Sequence, residues 1–124
     1  MDVSQYIRRV HLTHAENALQ DTNYDEAIAV YQSLAEEMDV SQYTRRVHIA
    51  QAMAVLDEGR YEEAVAYYKL AGDDEENRNA VREIRLAQYD VLMEAGEYAQ
   101  ALDLLDAIEN NVDWEDPQEE ELGL

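Results

Sequence analysis

Apolar residues recur along the chain at helical spacing, and their arrangement returns every 37 positions. Residues 1–11 (MDVSQYIRRVH) and residues 38–48 (MDVSQYTRRVH) agree at ten of eleven positions. The same offset relates three tyrosines and three alanines: Tyr24, Tyr61 and Tyr98, and Ala27, Ala64 and Ala101. Self-similarity at such a period is typical of repeat proteins. We therefore predict a single repeat domain over residues 1–124, with three copies and a capping tail: 1–37, 38–74, 75–111 and 112–124.

Each copy has the pattern of two helices joined by a short break. In the first copy the first helix is predicted from about Val3 to Gln20, and Asp39 and Asp73 are predicted to cap the corresponding helices. The break contains glycine in two copies, which suits a helix C-terminus. Because such short links force neighbouring helices to pack antiparallel, the predicted fold class is all-α, an α-solenoid of three stacked helix-turn-helix hairpins.

The tail has the pattern of an end cap. Pro117 stops a fourth copy, and Asp116–Glu121 resembles a short helix with an Asp cap and Pro at its first position. Trp114 is expected to fold over the apolar face of the third copy. We favour this packing role for Trp114 over ligand stacking.

Charge and composition exclude several classes of function. The chain has 29 acidic residues against 9 Lys plus Arg, a net charge of −20. Nucleic acids and anionic membranes are bound largely through Lys and Arg, so neither is expected as a partner. The chain has no cysteine, and no apolar run approaches the ~20 residues of a membrane span. The N-terminus lacks a signal-peptide pattern, so we expect a cytoplasmic protein.

The start of the second helix carries a motif that recurs in all three copies. It reads NYDEAI in 23–28, RYEEAV in 60–65 and EYAQAL in 97–102. This tyrosine and alanine, with an aromatic residue four positions after the alanine in two copies, resemble the tetratricopeptide repeat family. The resemblance covers residues 1–111. It implies stacked helical hairpins and a protein–protein interaction scaffold, not an enzyme, and it implies no cofactor.

Three features depart from that family. The repeat is 37 residues long, where the family's is about 34, and the closing proline is missing. The family's inward leucine of the first helix is replaced by polar residues: His14, Gln51 and Gln88. The curvature of the stack therefore does not follow from the resemblance.

The resemblance also implies a binding groove, lined by the first helices, for an extended peptide or a partner helix. Mapped by position, the peptide-binding residues are Arg9, Leu12, Glu16, Arg46, Ile49, Met53, Glu83, Leu86 and Asp90. Six of the nine cations lie in the first halves of these helices: Arg8, Arg9, Arg45, Arg46, Arg82 and Arg85. They either pair with neighbouring acids such as Glu36 and Glu37 or form a docking strip for an acidic peptide. Self-association through the terminal repeat faces stays open as well.

Two other functions remain as alternatives. The concentration of identity in residues 1–11 and 38–48 favours an engineered structural repeat protein with no evolved ligand. A more remote alternative is a metal enzyme that uses His11, His14 and His48, although a zinc site needs three or four converging ligands. We predict no catalytic, cofactor-binding or metal-binding residues.

The net charge leads to a prediction about salt. Self-repulsion of the acidic body is screened by ions, with a Debye length of about 8 Å near 0.15 M salt. The Tm should therefore rise as NaCl is increased from the low to the high molar range, as followed by circular dichroism. A flat or falling curve would mean that arginine–carboxylate pairs outweigh the repulsion.

Overall fold

The computed structural model describes residues 1–115, and the secondary structure of this part is entirely helical. The chain divides into two compact units, Met1–Gly72 and Asp73–Leu124. The first unit contains four helices: α1 (Ser4–Gln20), α2 (Tyr24–Ser33), α3 (Ser41–Asp57) and α4 (Tyr61–Ala71). The second contains two helices and a 3-10 turn: α5 (Glu75–Glu94), α6 (Tyr98–Glu109) and Val112–Trp114. The all-α class of helical hairpins is confirmed, while the single domain and its repeat boundaries stay predictions.

Small residues hold the first hairpin together. Ala15 and Ala18 of α1 and Ala27 of α2 are buried in one cluster with Tyr31. Alanine at these positions lets the two helix backbones come close, and the tyrosine ring fills the space beside them. Val47 of α3 belongs to the same cluster and is fully buried, so the second hairpin packs on the first within this unit.

The second hairpin repeats this arrangement one period later. Ala52 of α3 and Ala64 of α4 lie 37 positions after the first-copy alanines and are fully buried. Val65, the residue after Ala64, is also buried, and α3 packs against α4. The equivalent alanines therefore perform the same packing function in both hairpins.

The third hairpin packs α5 against α6 with a different set of residues. Val81 and Ile84 of α5 and Ala101 of α6 are buried, whereas Tyr89 occupies the position of the first-helix alanine. The 3-10 turn packs against α6, and Trp114, half-buried, lies 4.9 Å from the guanidinium carbon of Arg78. Trp114 thus packs on the third copy; the predicted short helix over Asp116–Glu121 lies outside the described residues.

Both predicted helix caps were wrong by one residue, since α3 is preceded by Val40 and α5 by Asp74. The Asp39 carboxylate does not cap α3; it accepts hydrogen bonds from the amide and hydroxyl of Ser41, at 2.9 and 2.7 Å. An Asp two residues before a Ser forms this local turn readily, so the carboxylate is already used. At α5 the cap is Asp74 and not Asp73, because the Asp74 side chain accepts from the Asn77 amide at 3.1 Å.

The three breaks share one backbone geometry. Thr22, Gly59 and Gly96 have φ angles of 61°, 76° and 75°. In the first break the Asn23 amide donates to the Ala18 carbonyl at 2.8 Å, and the other two breaks have the equivalent bond. This is the Schellman ending, in which a left-handed residue closes the helix. Glycine adopts that conformation without strain, while Thr22 does not.

We predict that Thr22→Gly stabilises the protein. A left-handed L-residue costs roughly 1–2 kcal/mol, and the greater freedom of unfolded glycine offsets about 0.5–1 kcal/mol of that relief. The exposed bond from the Thr22 hydroxyl to the Asp21 carbonyl is lost as well. Urea denaturation should show a net gain of about 0.5–1 kcal/mol. The reciprocal change, Gly59→Thr, should lower stability; equal stability of both variants would contradict the argument.

Candidate functional site

Six of the nine predicted binding residues lie on α1 and α3 of the first unit, and we call this set the α1/α3 surface: Arg9, Leu12, Glu16, Arg46, Ile49 and Met53. Arg9 and Arg46 are exposed, and the Met53 side chain is 56% exposed. The other three residues are half-buried. The surface therefore combines accessible apolar side chains with two guanidinium groups.

An ion pair joins the two helices of this surface. One terminal nitrogen of Arg46, Nη2, donates to both carboxylate oxygens of Glu16, at 3.0 and 3.1 Å. The arginine and glutamate side chains are 52% and 41% exposed, and exposed pairs of this kind contribute about 0–1 kcal/mol. The arginines were predicted to pair with acids such as Glu36 and Glu37 or to dock a ligand; Arg46 pairs with Glu16 of α1.

Glu16 also connects the surface to the core. The Tyr31 hydroxyl donates to Glu16 Oε2 at 3.4 Å. Burial raises the pKa of Tyr31, and the negative charge of Glu16 raises this pKa further. The Glu16 carboxylate thus lies between the buried Tyr31 and the exposed Arg46. These two contacts place Glu16 on the side of α1 that faces α2 and α3.

A shallow depression of about 330 Å³ lies along α1. Its lining includes Arg8, Arg9, Leu12 and Glu16. All its lining residues come from one helix, so it is open on the side away from α1. Small-molecule sites are enclosed clefts that bury most of their ligand, whereas an open helix surface suits a chain laid across it.

The other three predicted residues form a row on α5 in the second unit. Glu83, Leu86 and Asp90 are three and four positions apart, so they share one helix face. All three are exposed, Leu86 to 40%. The row presents two carboxylates and one leucine. That all nine residues form one groove stays a prediction.

Not every predicted arginine is available on the surface. Arg85, 10% exposed in its side chain, forms a two-bond ion pair with Asp113, at 2.9 and 2.7 Å. Its Nη1 also donates to Gln88 Oε1 at 2.8 Å. This arginine therefore ties α5 to the segment after α6. This contact was not predicted from the sequence, although Asp113 lies two periods after Asp39 and three after Asp2.

A cleft that the sequence did not predict lies next to this ion pair. It has a volume of about 270 Å³ and is lined by residues of α5, α6 and the 3-10 turn. Arg78, Arg82 and Arg85 line it from α5, with Trp114 opposite. The spacing of these arginines at four and three positions was the available sequence signal.

Two of the three histidines contact other polar side chains. His14 Nε2 lies 3.2 Å from Glu26 Oε1, and His48 Nδ1 lies 3.0 Å from Gln51 Oε1. Within residues 1–115, no group of three or more His, Asp or Glu side chains is placed to hold a metal ion. In the same part of the chain, no helix is long and apolar enough to cross a membrane.

Comparison with known proteins identifies a family. A family model described as "Tetratricopeptide repeat-like domain" matches residues 3–122. That range contains helices α1 to α6. Neither the curated proteins nor the solved structures contain a match.

We predict that Asp113→Asn destabilises the second unit. The change removes the negative charge that Asp113 places beside the largely buried Arg85, and a hydrogen bond to a charged group contributes about 1.5–3 kcal/mol. Urea denaturation should show a loss of that size. Asp103→Asn makes the same chemical change at an exposed position of α6 and should be close to neutral. Equal effects of the two variants would mean that the ion pair does not stabilise the unit.

Proposed function

The chain belongs to the tetratricopeptide repeat-like family, and we propose that it binds an extended peptide along the α1/α3 surface. Domains of this family are generally protein-interaction scaffolds and are typically not enzymes. The observation that carries the proposal is the combination of accessible apolar side chains with Arg9 and Arg46 on a body whose net charge is −20. Such a surface selects a ligand that is largely apolar and has an acidic group.

The apolar part of the surface would supply most of the binding free energy. Met53 is more than half exposed, and Leu12 and Ile49 are half-buried, so each still has area that a ligand can cover. Removing apolar area from water yields about 25 cal/mol per Å². An extended peptide points alternate side chains to the same side, which allows it to place several apolar groups along two neighbouring helices.

The arginines would supply the specificity. Glu16 binds Nη2 of Arg46, while a guanidinium carries five N–H donors. A ligand carboxylate would bind the remaining donors or compete with Glu16. Arg9, exposed on α1, would give a second charge-assisted contact.

We predict that Arg46→Glu weakens peptide binding by about 1.5–3 kcal/mol, the scale of a hydrogen bond to a charged group. The probe is the tightest binder from an array of extended peptides that combine apolar residues with one acid, measured by fluorescence anisotropy. Arg60→Glu is the matched control. Arg60 is also about half exposed and pairs with Glu58 and Glu63, but it lies between α3 and α4. The control should bind normally.

Two further results separate docking from internal pairing. Glu16→Gln removes the negative charge that competes for Arg46, so it should strengthen peptide binding if the ligand uses Arg46. If Glu16→Gln weakens binding as much as Arg46→Glu does, the intact pair matters and the docking role fails. Thermal melts should show both variants folded, because the pair is exposed. Unfolding of Arg46→Glu would mean that the arginine serves internal pairing alone.

A further inference from the structure

Residues 1–11 and 38–48, which agree at ten of eleven positions, lie in two different environments. In the second copy Val47 of α3 is fully buried, whereas its equivalent Val10 in α1 is 66% exposed. Tyr43 of α3 stacks on a core tyrosine, with ring centroids 5.0 Å apart and planes 16° apart. The equivalent Tyr6 is 55% exposed, and Val3 is 49% exposed. The first half of α1 therefore carries the side chains of an interface that it does not form within residues 1–115.

The second copy shows what those side chains pack against. Val47 and Tyr43 of α3 pack on a cluster that includes Ala27 and Tyr31 of α2, with Ile28 partly buried at its edge. The ion pair from Arg46 to Glu16 lies on the α1 side of the same hairpin. The first half of α3 thus packs on the second helix of the preceding hairpin, α2, and pairs with an acid on the first helix of that hairpin, α1.

The chain presents a second surface of this type at its other end. Two periods after α2, α6 places Ala101, Leu102 and Leu105 at the positions of Ala27, Ile28 and Tyr31. Leu102 is 67% exposed and Leu105 is 36% exposed. Two periods after Glu16, α5 has the exposed Asp90. The α5/α6 hairpin therefore offers both the apolar positions and the acid.

We propose that the protein self-associates head to tail, with the first half of α1 of one copy seated on the α5/α6 hairpin of another. Val10 and Tyr6 would pack on Leu102 and Leu105, as Val47 and Tyr43 pack on α2. Arg9 would pair with Asp90 of the other copy, as Arg46 pairs with Glu16. Such a contact joins unlike surfaces, so it can build rings or open chains of several copies.

This association shares Arg9 with the α1/α3 surface, but its apolar residues are separate from that surface. Val3, Tyr6 and Val10 lie outside it, so changes at these three positions should leave the peptide affinity of the monomer unchanged. The charge of −20 on each copy opposes contact, and salt screens that repulsion. Association of the full chain should therefore be measured in raised NaCl, by sedimentation velocity over a range of protein concentrations.

The wild-type chain should show an average mass that increases with concentration. Val10→Asp removes the α1 surface, Leu102→Asp removes the α6 surface, and each variant alone should be monomeric. Leu70→Asp is the matched control, because Leu70 is 65% exposed on α4 and has no part in the contact. This control should associate as the wild type does.

A mixture of the two variants gives the sharpest test. Each retains one intact surface, so an equimolar mixture of Val10→Asp and Leu102→Asp chains should form dimers that cannot grow further. Formation of dimers also shows that both variants are folded. A wild-type chain that stays monomeric at all concentrations would overturn the proposal. So would normal association of the Leu102→Asp variant, which would mean that two α1 surfaces contact each other.

Discussion

Buried alanines at fixed repeat positions allow the paired helices to lie close together. Ala15 and Ala27 in the first hairpin, and Ala52 and Ala64 in the second, have no exposed area. A larger side chain at any of them would push the backbones apart, because protein interiors have no spare volume. This close packing sets the position of Tyr31. The next hairpin packs on Tyr31 through Val47 and Tyr43 of α3.

The third hairpin lacks one of these alanines. Tyr89 stands in the first-helix position and is half-buried, and the buried apolar residues of α5 are Val81 and Ile84. The inward Arg85 with its Asp113 partner adds a polar tie at that end. A largely buried pair requires both partners, which makes the segment after α6 part of the unit's structure.

Periodicity predicted what depends on local backbone and short-range spacing. The equivalence of Thr22 with Gly59, and the helical hairpins themselves, follow from the 37-residue offset. Choices between competing partners could not be predicted. The Asp39 carboxylate accepts a hydrogen bond from the amide of Ser41, two residues later. Arg46 forms its ion pair with Glu16, which lies on another helix. The positions of the binding residues came from the family resemblance; their ion pairs depend on which helix sides meet in three dimensions.

The two proposed interactions should respond to salt in opposite directions. A peptide with one acid gains a short-range contact with Arg46, and ions weaken that attraction. Two copies that approach each other bring together charges of −20 and −20, and the repulsion between them far exceeds one attraction between Arg9 and Asp90. Salt screens the repulsion between the copies, which is the larger of the two effects. The apolar contact at Val10 then determines whether the copies associate. Low salt therefore favours a monomer with an accessible α1/α3 surface, and high salt favours the head-to-tail assembly of several copies.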